Sequence, residues 1–461
     1  MPMVVKNNMM AQNTLNTLNK NSKSQQKNME KASSGMKING AVDDASGYAI
    51  SERMRVQIRS LDQDFQNTQN GNSMLKVAEG AIASTVDILK SMKEKAINAA
   101  NDTNTDVDRA IIQKEWDQMI DQIDDNANIT FNGMTLVDGS KNNSVVNLDT
   151  TGQYKPGGNY SAFVNTQLGD ETTGLTRLTD LTSKTGGSLG IVPSDRLVVS
   201  YSVNGSTFSS TRTVANLRVR NLLELPNPNA FASFVNDKDP DYSYIGKDRR
   251  GEDVYTPDGQ NALTFASVRP GVQGQIQGLT IAIEDRNGNP KKSVNNVLNA
   301  FEEMIRGEDA SDDNAMNFQI GTKANQAIKV GFQDMTAFGL GLRGKDDVSG
   351  AGSTYELPPG AGIKITTREL ANAAINVVDA ALKRALDMQT TLGAAQMRMN
   401  FTATNITTSS ENVQAAESTI RDADMAAVMT AYTKDNVLTQ AAQSMLSQAN
   451  QTSSGVLSLL Q

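Results

Sequence analysis

Apolar residues recur along both ends of this chain at steps of three and four, the spacing that lays a stripe along one side of an α-helix. The first run holds Val4, Asn8, Ala11, Leu15, Leu18, Ser22, Gln25, Met29, Ala32 and Met36. That is a heptad seam diluted by small and amide residues, better suited to packing within something larger than to a free-standing dimer. Asn39-Gly40 marks a turn, and Asp43 and Asp44 then offer a helix N-cap and early negative charge. The next stripe, Ile50, Met54, Ile58, Leu61, Phe65, Leu75, Ile82, Val86 and Leu89, predicts one long helix. At 1.5 Å per residue, roughly 55 residues would make a rod of about 80 Å. Asn101 to Asp106 breaks it, and Thr105 can cap a further helix bearing Ile112, Trp116, Met119 and Ile123. Ile129 to Leu136 reads as a hairpin around Asn132-Gly133. Near the other end, Ala371, Ile375, Val378, Leu382, Ala385, Gln389, Leu392, Gln396, Met399, Ala403 and Ile406 predict a third long helix. A last stripe, Leu438, Ala441, Ala442, Met445, Leu446, Ala449, Val456, Leu457 and Leu460, predicts a closing one.

The middle of the chain follows a different rule. From about Val137 the composition turns to Gly, Thr, Ser, Asn and Pro. Leu197 to Val203 alternates, Asn204-Gly205 turns, and Thr207 to Val214 returns, which predicts a hairpin. Leu279, Ile281 and Ile283 predict another strand before Asn287-Gly288. Ser293 as cap, Val297, Leu298, Phe301 and Ile305 as an inner face, and Gly307 as stop predict a short helix. Phe318 and Ile320, then Ile328, Val330 and Phe332, alternate like paired strands, and a Gly/Pro-rich loop from Gly339 to Gly362 follows. Ten of the eleven prolines lie between Pro156 and Pro359. Proline costs about 3 kcal/mol inside a helix, so both ends are expected to be helical around a non-helical insert. The expected fold is α+β: a long antiparallel helical stalk made by both termini, with a mostly β central insert. Its parts are an N-terminal arm (1–40), a stalk (41–140), an exposed insert (141–315), the returning stalk (316–424) and a C-terminal arm (425–461).

Charge sharpens the reading of the two arms. No acidic residue precedes Glu30, so the first arm is basic through Lys6, Lys20, Lys23 and Lys27. After Asp435 no charged side chain follows. Polar amides interrupt this last stretch too often for a membrane span, which needs about 20 mostly apolar residues. A neutral helix with one apolar face needs a partner surface, and the basic first arm is its natural counterpart. The net charge of −8 over 461 residues, without a basic stripe carrying aromatics, argues against nucleic acid. With no Cys and no His, disulfides, thiol chemistry, the usual zinc sites and His-based acid–base catalysis are excluded. No convincing carboxylate pair replaces them, so neither an enzyme nor a cofactor is expected. Asn and Lys6 interrupt the first twenty residues, so no signal-peptide core is expected.

Several stretches resemble bacterial flagellins. They include Ser34-Gly35-Met36-Lys37-Ile38-Asn39-Gly40-Ala41-Val42-Asp43-Asp44-Ala45-Ser46-Gly47-Tyr48-Ala49-Ile50, and Phe131-Asn132-Gly133. Asp387-Met388-Gln389-Thr390-Thr391-Leu392-Gly393-Ala394-Ala395-Gln396 and Ile420-Arg421-Asp422-Ala423-Asp424-Met425-Ala426 follow in order, and Gln448-Ala449-Asn450-Gln451 through Val456 to Leu460 completes the set. The likeness covers about 1–140 and 316–461, while the insert matches nothing nameable. It implies an extracellular structural subunit of the motility filament, exported unfolded through a type III channel and assembled at the tip into a helical homopolymer. Arms disordered in the monomer would then pair as helices in the filament core. The self-assembly residues would be Leu15, Leu18, Met29, Met36, Leu438, Met445, Leu446, Val456, Leu457 and Leu460. Implied partners are further copies, cap and junction proteins, and an export chaperone on Met425 to Gln461.

The family also presents a surface to the vertebrate Toll-like receptor for flagellin, using an Arg and a Leu on the first long helix and a Glu on the second. Those positions here hold Ser91, Lys95 and Glu115, so two of three depart and weak activation is expected. Asp237, Asp239 and Asp241 resemble the start of a calcium loop, but Tyr242 stands where the sharp turn needs Gly and Asp248 where a bidentate Glu closes it, so a solvated loop is expected. The Ser/Thr-rich insert permits O-linked sugars, and the zinc protease some flagellins carry there is excluded without His. Two further readings stand beside a filament subunit: a hook–filament junction protein, which shares the arms but caps the filament, and a coiled-coil adhesin, which would want a Leu/Ile-rich seam and a Sec signal.

Overall fold

A computed structural model describes residues 8–145, 158–169, 172, 174–222, 232–235, 244–256, 262–267, 269–345 and 360–459. Its long elements are helices: α1 (Met9–Ser34), α2 (Ala45–Ala99), α3 (Asp106–Ala127), α6 (Arg368–Arg421) and α7 (Met425–Leu459). Between α3 and α6 come two short helices, α4 (Gly271–Gly274) and α5 (Lys292–Leu298). The strands are β1 (Thr130–Phe131), β2 (Met134–Thr135), β3 (Ala162–Asn165), β4 (Arg196–Val203), β5 (Ser206–Thr213), β6 (Ala232–Val235), β7 (Tyr244–Lys247), β8 (Asp253–Tyr255), β9 (Leu263–Ser267), β10 (Ile276–Glu284), β11 (Phe301–Ile305), β12 (Met316–Gln319) and β13 (Ala327–Val330). The fold is α+β, helical at both ends and strand-rich in the middle. The chain forms two compact units, one from Met1–Gln69, Gln319–Ala327 and Asn400–Gln461, the other from Asn70–Phe318 and Ile328–Met399.

The helix ends follow local chemistry. Asp44 Oδ1 accepts from the backbone N–H groups of Ser46 and Gly47, satisfying donors that the first turn of α2 leaves open. At α3, Thr105 and Asp108 form a capping box: the Thr105 hydroxyl accepts from the Asp108 N–H, and the Asp108 carboxylate accepts from the Thr105 N–H at 2.9 Å. Trp116, Ile120 and Ile123 of α3 are fully buried, as are Leu75, Ile82, Leu89 and Met92 of α2 and Val378, Ala385 and Leu392 of α6. Asp124 and Gln113 of α3 hold the returning chain. Asp124 accepts from the Ala337 N–H at 2.7 Å and from Arg343 at 3.0 Å, and the Gln113 side chain bonds both Ile363 and Ile365.

The central strands lie in antiparallel sheets, one ordered β10-β4-β5 and one β11-β3-β9-β6, with β7-β8 as a separate ribbon. Their inward faces meet in a core that includes Leu197, Val199, Tyr201, Phe265, Ile281 and Ile283. Both Asn-Gly hairpins form as the sequence predicts. Asn132 and Gly133, and Asn204 and Gly205, have positive φ at both central positions, the twist that two-residue hairpins require. Gly205 is also required by space, because a Cβ there would lie 1.7 Å from the Ala361 carbonyl oxygen.

One sequence expectation is corrected here. The helix expected from Ser293 to Ile305 ends at Leu298, Ser293 is not its cap, and Phe301 to Ile305 form β11. The cause is Asn299. Its side chain accepts from the Ile281 N–H at 2.6 Å and donates to the Ile281 carbonyl at 2.8 Å, so it holds the β10 backbone instead of continuing a helix. Phe301 to Ile305 then pair with β3, an alternation that a three–four spacing also accommodates.

Candidate assembly surface

The two terminal helices pair antiparallel. Asn8 Nδ2 donates to the Ala449 carbonyl at 3.0 Å, while Ser24 and Asn28 both donate to Asp435 Oδ2, at 2.6 and 2.8 Å. The half-buried or buried positions set the seam. On α1 they include Ala11, Thr14, Leu18, Asn21, Gln25, Asn28 and Ala32; on α7 they include Val428, Tyr432, Asp435, Thr439, Ala442, Leu446 and Ala449. Both sets step by three and four, so the pair is a short coiled coil with a seam rich in polar and alanine side chains. Asp435, the last charge of the chain, sits on that seam with two hydrogen bonds.

The expected assembly residues divide between this seam and solvent. Leu18 and Leu446 are half-buried on the seam, and Met36 is half-buried at the end of the pair. Leu15, Met29, Leu438 and Met445 are 45%, 59%, 40% and 60% exposed. Thr14, Asn21 and Asn28 occupy seam places that the sequence reading gave to Leu15, Ser22 and Met29, a one-residue offset within the same seven-residue repeat. Ser22 keeps a half-buried place beside Asn21. Val456 and Leu457 lie in α7, but their side chains fall outside the described residues, as does Leu460. Met9, Met10, Met425, Met429 and Val437 are exposed as well. Met429, Val437 and Leu438, with Thr430, Thr433 and Lys434, line a shallow groove of about 590 Å³ along α7.

Both arms are anchored at one joint that the sequence reading did not single out. Gly35, at φ +71°, closes α1 in the left-handed conformation open to glycine. The Lys37 N–H donates to the Arg421 carbonyl at 2.7 Å, and the Ala423 N–H donates to the Gly35 carbonyl at 2.9 Å, a one-residue bridge between the two connecting segments. Arg421, buried, donates to Glu52 Oε1 at 2.6 Å and lies 5.5 Å from the centre of the Tyr48 ring. That guanidinium, with Arg55 adding to it, holds the Glu52 carboxyl below the usual carboxylate range. Arg421 stands at the helix end in the stretch Ile420 to Ala426, before the capping-type residues Asp422 and Asp424, a pattern that marks the helix boundary but not the anchoring role of the arginine.

Ser91, Lys95 and Glu115, the positions expected to face the receptor, lie in the other unit. Lys95 Nζ pairs with Glu115 Oε2 at 2.8 Å, and the Ser91 hydroxyl bonds back to its own helix at the Asp87 carbonyl. So Glu115 is engaged by the side chain that replaces the expected Leu. The acidic stretch at Asp237, Asp239 and Asp241 lies outside the described residues. Asp248 is described and turns back on its own loop, accepting from the Arg250 and Glu252 N–H groups at 2.8 and 2.9 Å.

Comparison with known proteins places these elements. Residues 5–142 match the bacterial flagellin N-terminal helical region, and residues 375–460 match the bacterial flagellin C-terminal helical region. A flagellin of Clostridium tyrobutyricum is 33% identical over 450 residues, covering 97% of this chain and 99% of that protein. A flagellin of Bacillus subtilis is 28% identical over 470 residues, covering 99% and 100%. Polar flagellin A of Vibrio parahaemolyticus is 29% identical over 457 residues, covering 99% of each. Matched in its terminal helices and one-third identical to a relative across nearly its whole length, this chain belongs to the bacterial flagellin family.

Proposed function

We propose that this chain is the repeating structural subunit of an extracellular bacterial flagellar filament, and that its arms, 1–40 and 425–461, are the elements through which it polymerises. One observation carries the reading: after α1 and α7 have paired, nine large apolar side chains on their described parts are still exposed. Burying each contributes about 1.5–3 kcal/mol. Since each is already about half covered, the sum is on the order of 7–14 kcal/mol, of the same size as the roughly 4–15 kcal/mol that association costs. The seam contains few large apolar residues, and most of a helix's stability in a protein comes from packing its apolar face. Neighbouring copies therefore supply the missing burial, and contacts that do not close on themselves give a helical polymer.

The same features support the rest of the reading. Arms stabilised by neighbours can leave the cell unfolded through a type III channel, held at Met425 to Gln461 by an export chaperone. Cap and junction proteins are further partners of the growing end. At the face shared by α2 and α3, Ser91 and Lys95 stand where receptor-stimulating flagellins carry Arg and Leu, and Lys95 occupies the carboxylate of Glu115. The Toll-like receptor for flagellin is accordingly activated weakly.

Seeded elongation tests the filament reading. Purified full-length chain, and a chain ending at Asp424, are added to short filament fragments, which are then sedimented and imaged. Only the full-length chain is expected to extend them. Full-length chain that adds once and stops would instead make this a junction protein.

A further inference from the structure

Five Asn-Gly pairs occur in the chain: Asn39-Gly40, Asn70-Gly71, Asn132-Gly133, Asn204-Gly205 and Asn287-Gly288. Glycine lacks the Cβ that would shield its backbone nitrogen from the preceding side chain. In such a pair that nitrogen can attack the asparagine's side-chain carbonyl, provided its N–H is free and the side chain can turn toward it. The fold closes this route at four of the five. Asn70 and Gly71 lie inside α2, where the backbone is committed to helical hydrogen bonds. Asn204 is 6% exposed, and its side chain donates to the Lys345 carbonyl at 2.9 Å and accepts from the Lys345 N–H at 2.8 Å. Asn132, like Asn204, is in the left-handed conformation, at φ +50°. There ψ sets the next nitrogen on the far side of the Cα–C bond from Cβ. At the last pair, the Gly288 N–H is held by the Asp285 carbonyl at 3.0 Å.

Asn39-Gly40 differs on each count. It lies between α1 and α2, outside helix and strand, and Asn39 is not in the left-handed region. Among the described residues, neither the Asn39 side chain nor the Gly40 N–H has a hydrogen-bond partner. A Cβ placed on Gly40 would meet no atom within 4 Å, so the space beside the attacking nitrogen is open. The turn is held at other atoms: the Asn39 N–H donates to Asp43 Oδ2 at 3.2 Å, and the Asp43 N–H donates to the Gly40 carbonyl at 3.1 Å.

We propose that Asn39 is a self-modification site, converted to aspartate and isoaspartate without an enzyme. The Gly40 nitrogen gives its proton to hydroxide and bonds to Asn39 Cγ. The bond from Cγ to Nδ2 breaks, and Nδ2 takes up a proton from water and leaves as ammonia. A five-membered imide remains, which water opens at either carbonyl. Opening at Cγ leaves an aspartate. Opening at the main-chain carbonyl routes the backbone through Cγ as isoaspartate. Both products add a carboxylate close to Asp43 and Asp44. The second also lengthens the backbone by one carbon, next to the bridge where the Lys37 N–H meets the Arg421 carbonyl and the Ala423 N–H meets that of Gly35.

Peptide mapping by mass spectrometry tests this on the full-length chain, aged at neutral and at mildly alkaline pH and sampled over time. The peptide holding Asn39 is expected to gain the mass of an amide-to-acid exchange at least ~10-fold faster than any of the other four pairs, and faster at the higher pH. Gly40→Ala meets no neighbour in the fold, so the melting temperature should hold while the reaction slows at least ~10-fold. Hydrogen exchange at Lys37 and Ala423 should quicken in the isoaspartate form as the bridge loosens. Equal rates at all five pairs, an Asn39 that stays intact while another pair reacts, or a Gly40→Ala chain that reacts as fast as the parent overturns the proposal.

Discussion

Asp64 lies on the buried side of α2, 5% exposed, and its Oδ2 atom has no hydrogen-bond partner. Burial pushes its carboxyl pKa up. A group whose pKa is higher in the folded state adds stability below its unfolded pKa, and that contribution is lost as pH rises through the folded value. At neutral pH Asp64 is therefore a liability. Asp64→Asn should raise the melting temperature by a few degrees at pH 7, with the gain vanishing near pH 4; scanning calorimetry at both pH values checks it. Arg421 shows the opposite arrangement, a buried charge that is paired and set over an aromatic ring. Neither role was legible in the sequence. Both residues are single charges among many, and only the surroundings supplied by distant segments separate a liability from an anchor. Asp435 was easier to pick out, because it is the last charge before a neutral run.

At the scale of elements, local chemistry was largely legible. The Asn-Gly turns, the Thr105 cap and the long helices rest on interactions within a few residues, and the structure forms them where the sequence places them. The Thr105–Asp108 box is a test case. The Thr105 hydroxyl and N–H hold the Asp108 carboxyl below its usual pKa. Its contribution is therefore present above the unfolded carboxylate pKa and is lost as pH falls through the folded value. Thr105→Ala should cost α3 about 1 kcal/mol. Hydrogen exchange should show this as faster exchange at Asp106 to Arg109, with little change at Ile120 to Ile123. Elements that depend on remote partners were not legible in this way. The stretch from Phe301 to Ile305 satisfies a helical and a strand pattern equally, and β3, more than a hundred residues away, decides between them. The seam position that leaves Leu15 and Met29 exposed is similarly set by pairing with α7.

For the whole molecule, the seam and the surface have separate uses. Polar bonds around Asp435 and alanine contacts at Ala442 and Ala449 hold the two arms to each other and leave large apolar side chains exposed, the ones proposed above to meet other copies. The proposed weak receptor contact carries its own prediction. In a cell reporter for the Toll-like receptor for flagellin, the combined Ser91→Arg and Lys95→Leu variant should be at least ~10-fold more potent than the parent chain, by restoring a fork donor and an apolar anchor and releasing Glu115. A parent chain already at full potency would sink the idea.

The sequence by itself determined the class of the molecule: helical ends, a strand-rich middle, no histidine or cysteine chemistry, and the flagellin likeness of both termini. Those properties reside in periodicity, in the confinement of proline and in local turn and cap residues, each readable within a short window. The tertiary structure alone decided which apolar residues of the arms face each other and which stay uncovered, and how Arg421 ties both arms to α2. Those outcomes depend on segments hundreds of residues apart meeting at particular distances, and a one-dimensional pattern does not encode such distances.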